Sequence, residues 1–351
     1  MMKKNIMLLW LLLSMLAIFV GCESSRFAES KNLTTVPSEE TESNSIVVGF
    51  SQLGAESDWR SANTESMKEA FSAKNGYTLV FKDGQQKQSN QITAVRTFIQ
   101  QDVDYIVLAP VTESGWDSVL EEAKNAGIPV ILVDRLVDVS DKSLYQCWVG
   151  SDFELEAKKV CEWLNQYAIA NEIAPEELHI VDLQGTLGST AQLGRSRGLN
   201  EAAMENGWDI VALAEADFTQ ARGREVMASM LKTYDNINVV YCENDNEAIG
   251  AIMALEAAGY TVGSDIKNGE VMVLSFDGIN EEALDYAKEG KIACIGECNP
   301  MHGARVAGMI EQLEKGETIQ KFNYVEERIF SALSDVTEIT VDGTRYSVTA
   351  P

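Results

Sequence analysis

From residue 46 onward, short apolar runs alternate with stretches in which apolar residues recur every three or four positions. The runs at 46–50, 77–82, 105–109 and 128–133 are rich in β-branched and aromatic residues and predict strands. Between them the helical spacing predicts helices over 59–74, 89–101 and 114–126, and Gly76 and Gly127 stand where helix C-caps fall. The pattern pauses at Gly150-Ser151-Asp152 and restarts, with strands at 178–183, 210–214, 239–242, 271–275 and 292–296. Helices are predicted at 153–167, 190–205, 220–234, 247–258, 281–288 and 304–315. Such alternation implies a parallel sheet covered by helices. Roughly 300 residues of it exceed one comfortable doubly wound domain. The sequence therefore predicts an α/β protein of two doubly wound parallel-sheet lobes, with a first crossover near Ser151. The tail from 321 to 351 is strand-like and irregular, with Asp342-Gly343 as a hairpin turn.

The ends of the predicted strands carry the candidate chemistry. The apolar run at 128–133 ends in Asp134-Arg135, an acceptor beside a forked donor, at the edge of an α/β sheet where ligand crevices open. A local salt bridge capping the sheet explains that pair equally well. Other strand ends carry Asp83-Gly84-Gln85-Gln86, Asn244-Asp245, Asp277 and Glu297. Asn244 and Asp245 also suit helix N-caps, and Asp277-Gly278 suits a turn. Together, short acid and amide side chains at five strand ends converge on one face. Trp59 adds a flat apolar wall or belongs to the helix–sheet core; the charges of Asp58 and Arg60 argue against its full burial. A sugar ring, with C–H faces and a rim of hydroxyls, fits such a set.

Charge and termini narrow the class. The formal net charge is −26, which disfavours nucleic acid and anionic headgroups as partners. Lys3 and Lys4 precede an apolar run from Ile6 to Val20 that has the form of a signal peptide. It ends Phe19-Val20-Gly21-Cys22, a lipoprotein-type box, so residues 1–22 read as a leader and Cys22 as the lipidated residue. Residues 23–45, rich in Ser, Glu, Thr and Asn, read as a flexible acidic tether. Five further cysteines, Cys147, Cys161, Cys242, Cys294 and Cys298, follow no framework spacing and read as core packing. His179 and His302 lack partners at metal-ligand spacing, and no nucleophile elbow, P-loop or dinucleotide fingerprint occurs. No catalytic residue, metal or cofactor is expected.

Over roughly residues 46–330 the chain resembles the periplasmic sugar-binding proteins of ABC importers, the ribose-binding type, and most the galactofuranose-binding branch. The stretches that carry the resemblance are Val48-Gly49-Phe50-Ser51-Gln52, Glu56-Ser57-Asp58-Trp59-Arg60, Asp83-Gly84-Gln85-Gln86-Lys87-Gln88, Ala109-Pro110-Val111, Asp134-Arg135, Leu183-Gln184-Gly185-Thr186, Ala216-Asp217-Phe218-Thr219, Asn244-Asp245 and Phe276-Asp277-Gly278. The resemblance implies a type I periplasmic binding protein fold with a multi-crossover hinge. Residues 46–150 and 299–323 would form the N-terminal lobe, and 151–298 with 324–351 the C-terminal lobe. It further implies that Asp134 and Arg135 bind hydroxyls from one lobe, Arg195, Asn244, Asp277 and Glu297 from the other, while Trp59 and Phe218 flank the ring. Ribose binders carry two phenylalanines where this chain has Trp59-Arg60, and a Gln where it has Glu297. The added cation and carboxylate imply a hexose or hexofuranose, galactofuranose first, with fructose, galactose or arabinose as alternatives. The implied partners are the permease subunits of an ABC importer and, through Cys22, the membrane. A sensory sugar receptor shares the same site. The effector domain of a transcription repressor shares the fold, but needs a helix-turn-helix where this chain has a leader.

Overall fold

Residues 45–351 are described by the computed structural model. The leader with Cys22, and the tether up to residue 44, lie outside the described residues. The chain first lays down β1 (Ile46–Gln52), α1 (Asp58–Ala70), β2 (Tyr77–Asp83), α2 (Gln88–Gln100), β3 (Tyr105–Leu108), α3 (Asp117–Asn125), β4 (Val130–Val133) and β5 (Cys147–Gly150). It continues through α4 (Phe153–Ala170), β6 (His179–Gln184), α5 (Thr190–Asn206), β7 (Asp209–Glu215), α6 (Gln220–Met230), β8 (Val239–Cys242), α7 (Asp245–Ala257), β9 (Met272–Asp277), α8 (Glu281–Lys288) and β10 (Ile292–Glu297). The last elements are α9 (Gly303–Glu314), β11 (Phe322–Tyr324), β12 (Ile329–Phe330), β13 (Glu338–Val341) and β14 (Thr344–Thr349).

Among the described residues these strands form two sheets, ordered β11-β5-β4-β3-β1-β2 and β13-β14-β12-β10-β9-β8-β6-β7. Every pair in the first is parallel. The second is parallel except where β12 meets β10 and in the β13–β14 hairpin. Alternate residues of each central strand enter different cores. Ile106 and Leu108 pack on one face of the first sheet, while Val107 packs on the other with Val48 and Phe50. In the second sheet, Ile180, Tyr241 and Leu274 oppose Val181, Val240 and Val273. Burial on both faces is why these strands read as continuous apolar runs. The edge strands β2 and β7 are partly exposed and more polar.

Departures from the sequence expectation have local causes. The helix expected over 59–74 stops at Ala70, because Ser72 and Asn75 side chains bind the Glu69 carbonyl, and Asn75 that of Ala70 as well. β4 starts at Val130 instead of residue 128, since Pro129 has no N–H for the ladder. β5 was not resolved by periodicity; its four residues are all buried. Asp342 and Gly343 both have positive φ, the geometry of the expected hairpin turn.

The chain passes between the sheets three times: from β5 to α4, from β10 to α9, and from β11 to β12. α9 packs on α1, and β11 pairs with β5.

Candidate functional site

The carboxyl ends of β4, β8 and β9 and the loops after β1, β7 and β10 face one another across a cleft between the sheets. Its cavity is lined by Glu56, Ser57, Trp59, Arg60, Asp134, Arg135, Phe153, Ala191, Arg195, Phe218, Asn244, Asp277 and Cys298. Eight of the nine side chains expected from the sequence are thus brought together. Glu297 is not. Its carboxylate turns away to Arg328, with Oε1 2.8 Å from Nη2 and Oε2 2.9 Å from Nε. The Arg328 amide also donates to Glu297 Oε2 at 2.8 Å, and Cys298, the next residue, lines the cleft instead.

On the first sheet, Ser57 caps α1 by accepting from the Arg60 amide. That fixes the helix start and presents Trp59 and Arg60 to the cleft. Arg60 Nε donates to Glu56 Oε1 at 3.0 Å, and its Nη2 lies 2.7 Å from Asp134 Oδ2 as a charge contact without hydrogen-bond alignment. Arg135 Nη1 donates to the Val111 carbonyl at 2.8 Å, while its guanidinium stands 5.3 Å from the Phe218 ring. Burial, then the neighbouring Arg60, draws Arg135 down to about 10, so it stays charged at neutral pH. Asp134 has φ 63°, a left-handed conformation that aspartate tolerates and that bends the chain sharply out of β4. The charges beside Trp59 did not keep it exposed: both Trp59 and Arg60 are buried, because the ions pair with each other.

On the second sheet, Arg195 on α5 donates through Nε to Glu156 at 2.9 Å, through Nη2 to Asp277 at 3.3 Å, and through Nη1 to the Glu243 carbonyl. Phe153 and Phe276 stand 5.5 and 4.7 Å from its guanidinium. Asp277, like Asp134, ends its strand with positive φ. Asn244 caps α7, accepting from the Glu247 amide, and donates to the Phe218 carbonyl at 3.0 Å, so it orients an aromatic wall. Phe218 lies against Gly185, where an added Cβ would come within 2.3 Å of three ring atoms. Only glycine fits there.

Contacts cross the cleft. Trp59 Nε1 donates to the Cys298 carbonyl at 2.7 Å, the Glu113 amide to the Gly188 carbonyl at 3.1 Å, and the Leu136 amide to Thr190 Oγ1 at 3.2 Å. Asp58 meets the side chains of Asn246 and Asn280.

Sequence reasoning missed Glu56, Phe153 and Cys298. Glu56 sits in a loop and Phe153 opens a helix, where no periodicity marks the facing side. Cys298 read as core. All five described cysteines are free and buried. Among the described residues one trio has metal-ligand atoms within 4.8 Å of one another, Glu156, Cys298 and Glu327. Glu156 already pairs with Arg195, and Glu327 already accepts from the Ser151 hydroxyl and the Asn299 amide.

His302, beneath Trp59 and 5.7 Å from its ring, is fully buried. Burial holds the imidazole neutral, drawing it down to about 4 from its ordinary value near 6.5. Its contribution to stability is therefore present above the unfolded value and lost as pH falls toward 4, by up to about 1.4 kcal/mol per pH unit. His302→Gln is expected to flatten stability over that window. Unfolding of both proteins from pH 7 to 4 checks this, and parallel curves would assign the acid sensitivity elsewhere.

The periplasmic binding protein domain profile matches residues 48–328. The galactofuranose-binding protein of Escherichia coli (strain K12) is 45% identical over 279 residues, 78% of this chain and 84% of its own. The structure of a Mycobacterium smegmatis protein in complex with β-D-fucofuranose is 37% identical with a TM-score of 0.77, covering 83% of this chain and 92% of that one. The binding component of the arabinose ABC transporter of Shewanella sp. ANA-3, solved with α- and β-L-arabinofuranose, is 36% identical with a TM-score of 0.75, over 82% of this chain and 93% of that one. The first is named as a binding protein and the third as the binding component of an ABC transporter. With two doubly wound sheets facing across a polar cleft and a profile match over most of its length, the chain belongs to the periplasmic binding protein family.

Proposed function

We propose that the chain is the sugar receptor of an ABC importer, that it takes a single furanose ring with galactofuranose first, and that Cys22 anchors it to the outer face of the cell membrane. One observation carries the ligand class. Four buried polar atoms on cavity-lining residues, Glu56 Oε2, Arg60 Nη1, Asp134 Oδ2 and Arg135 Nε, have no hydrogen-bond partner among the described residues. Two are acceptors and two are donors. Orphaned buried atoms of this kind are expensive, and sugar hydroxyls, each donor and acceptor, satisfy both types at once. Trp59, Phe153 and Phe218 supply apolar walls for the ring faces. The names of the relatives support a furanose. With Glu297 turned outward, the extra carboxylate beside Arg60 is Glu56.

The lobe assignment proposed is 46–150 with 299–323 and 151–298 with 324–351. Contacts from both lobes to one ring are satisfied together only when the cleft shuts. Addition of a bound furanose is expected to lower the radius of gyration in solution scattering. An unchanged value at saturation would contradict hinge closure.

No helix of the described residues is long and apolar enough to cross a membrane. The anchoring reading rests on the leader and Cys22. Cys22→Ala is expected to release the protein from membranes, because one residue would carry the acyl chains. Persistence of the variant in the salt-washed membrane fraction would overturn it.

A further inference from the structure

One cluster of acids sits where the three passages between the sheets meet. Ser151 belongs to the first passage, Cys298 and Asn299 to the second, and Glu327 to the third. Ser151 Oγ donates to Glu327 Oε1 at 2.6 Å, and the Asn299 amide donates to the same oxygen at 2.7 Å. Glu156, on the first turn of α4, is buried, and an oxygen of each carboxyl group and Cys298 Sγ lie within 4.8 Å of one another. Glu156 Oε2 holds Arg195, whereas its Oε1 is buried with no fixed donor. A lone buried acceptor beside a second carboxyl group is the arrangement in which one proton is shared, the O–H of a neutral acid supplying the missing donor. Burial, and then the charge of Glu156, push Glu327 up to about 9. The other charged and titratable groups facing the pair are Lys159, whose Nζ donates to the Glu327 carbonyl at 2.9 Å, Asp152, Arg195, Asp277, Cys298 and Glu297 with Arg328.

We propose that Glu156 and Glu327 share one proton at the crossing point and thereby position Arg195, and through it Asp277, so that sugar binding takes up a proton. This rests on the sugar-receptor reading. With the proton in place, Glu156 offers its single charge to Arg195. Without it, two carboxylates repel each other at the hinge. Cleft closure excludes water from the floor, where Trp59 covers the Cys298 carbonyl, and so favours the protonated pair. In this form the pair holds its proton up to about pH 9, and opening the cleft to water is expected to release it at lower pH. Affinity is constant below that window and falls as pH rises through it, by at most tenfold per pH unit for one proton.

Calorimetry at pH 8.5 with L-arabinose and D-galactose, whose solutions contain furanose forms, tests this in buffers of different ionisation heat. The expected result is a binding heat that varies with the buffer, equivalent to up to one proton taken up. Glu327→Ala is expected to weaken binding more than tenfold. Glu327→Gln, a neutral donor, recovers most of that loss at pH 7 while its binding heat no longer depends on the buffer. Wild-type heat without buffer dependence would overturn the shared proton and leave the sugar reading standing, as would full buffer dependence in Glu327→Gln. No sugar heat with either probe would overturn both. Should Glu327→Gln fail to fold, the wild-type buffer series alone decides.

Discussion

Asp134→Ala is expected to weaken sugar binding by about 2–4 kcal/mol, roughly 30- to 1,000-fold in Kd. The carboxylate does two things in the closed cleft. It stands 2.7 Å from Arg60 and 3.9 Å from Arg135, and one of its oxygens is buried without a hydrogen-bond partner among the described residues. Deleting it removes an acceptor for a hydroxyl and leaves two buried guanidinium groups facing each other with only Glu56 between them. The second effect dominates, because truncating one member of a buried charge cluster strands the others. Asp134→Asn, which keeps the size but not the charge, is expected to recover little. Asp141→Ala and Glu311→Ala, both exposed, serve as controls and should leave Kd unchanged. Calorimetric titration of the four variants checks this; a loss below about threefold for Asp134→Ala would place the ligand elsewhere in the cleft.

Arg195→Met is expected to lower folding stability by about 3–5 kcal/mol even without ligand. Methionine replaces the aliphatic stem and keeps the packing between Phe153 and Phe276, so the loss isolates the charge. What remains is a buried Glu156 and a buried Asp277 without their common cation. Adding Asp277→Asn should return part of the loss, since one of the two stranded charges is then gone. Denaturant unfolding of the three proteins gives the numbers. A single-variant loss under about 1 kcal/mol would mean that water reaches this side of the cleft in the unliganded protein.

The sheets were legible because both of their faces are buried. A run such as Val130–Val133 has no polar alternation to obscure it, and the polar residues that follow it mark the strand end. β5 escaped because Cys147-Trp148-Val149-Gly150 lacks the β-branched run that marks β4, a strand of the same length. Its Gly150 is explained only by the tertiary fit: a Cβ there would come within 2.6 Å of the Trp148 ring and of the Asp134 carbonyl oxygen. The site followed the same division. Asp134, Asn244 and Asp277 terminate strands, so fold logic placed them on one face. Glu297 ends β10 in register with Asp277, but its carboxylate is held by the Arg328 backbone and side chain, a long-range pairing that strand-end position does not reveal. Trp59 was misjudged because neighbouring charges normally mean exposure. Here Glu56, Asp134 and two arginines neutralise one another, an arrangement no local pattern reveals. Arg195 and Arg60 lie within helices, and their roles entered through the resemblance to known sugar binders, not through spacing.

The cleft is proposed to bind one furanose ring through the orphaned groups of the first lobe, Glu56, Arg60, Asp134 and Arg135, closed over by the second. Calorimetric titration with a panel of pentoses, hexoses and furanosides tests it most directly. Saturable one-to-one binding of a furanose is expected, galactofuranose or arabinofuranose foremost, abolished or strongly weakened by Asp134→Ala. Binding of a nucleoside or an amino acid, with no sugar in the panel giving heat, would contradict it.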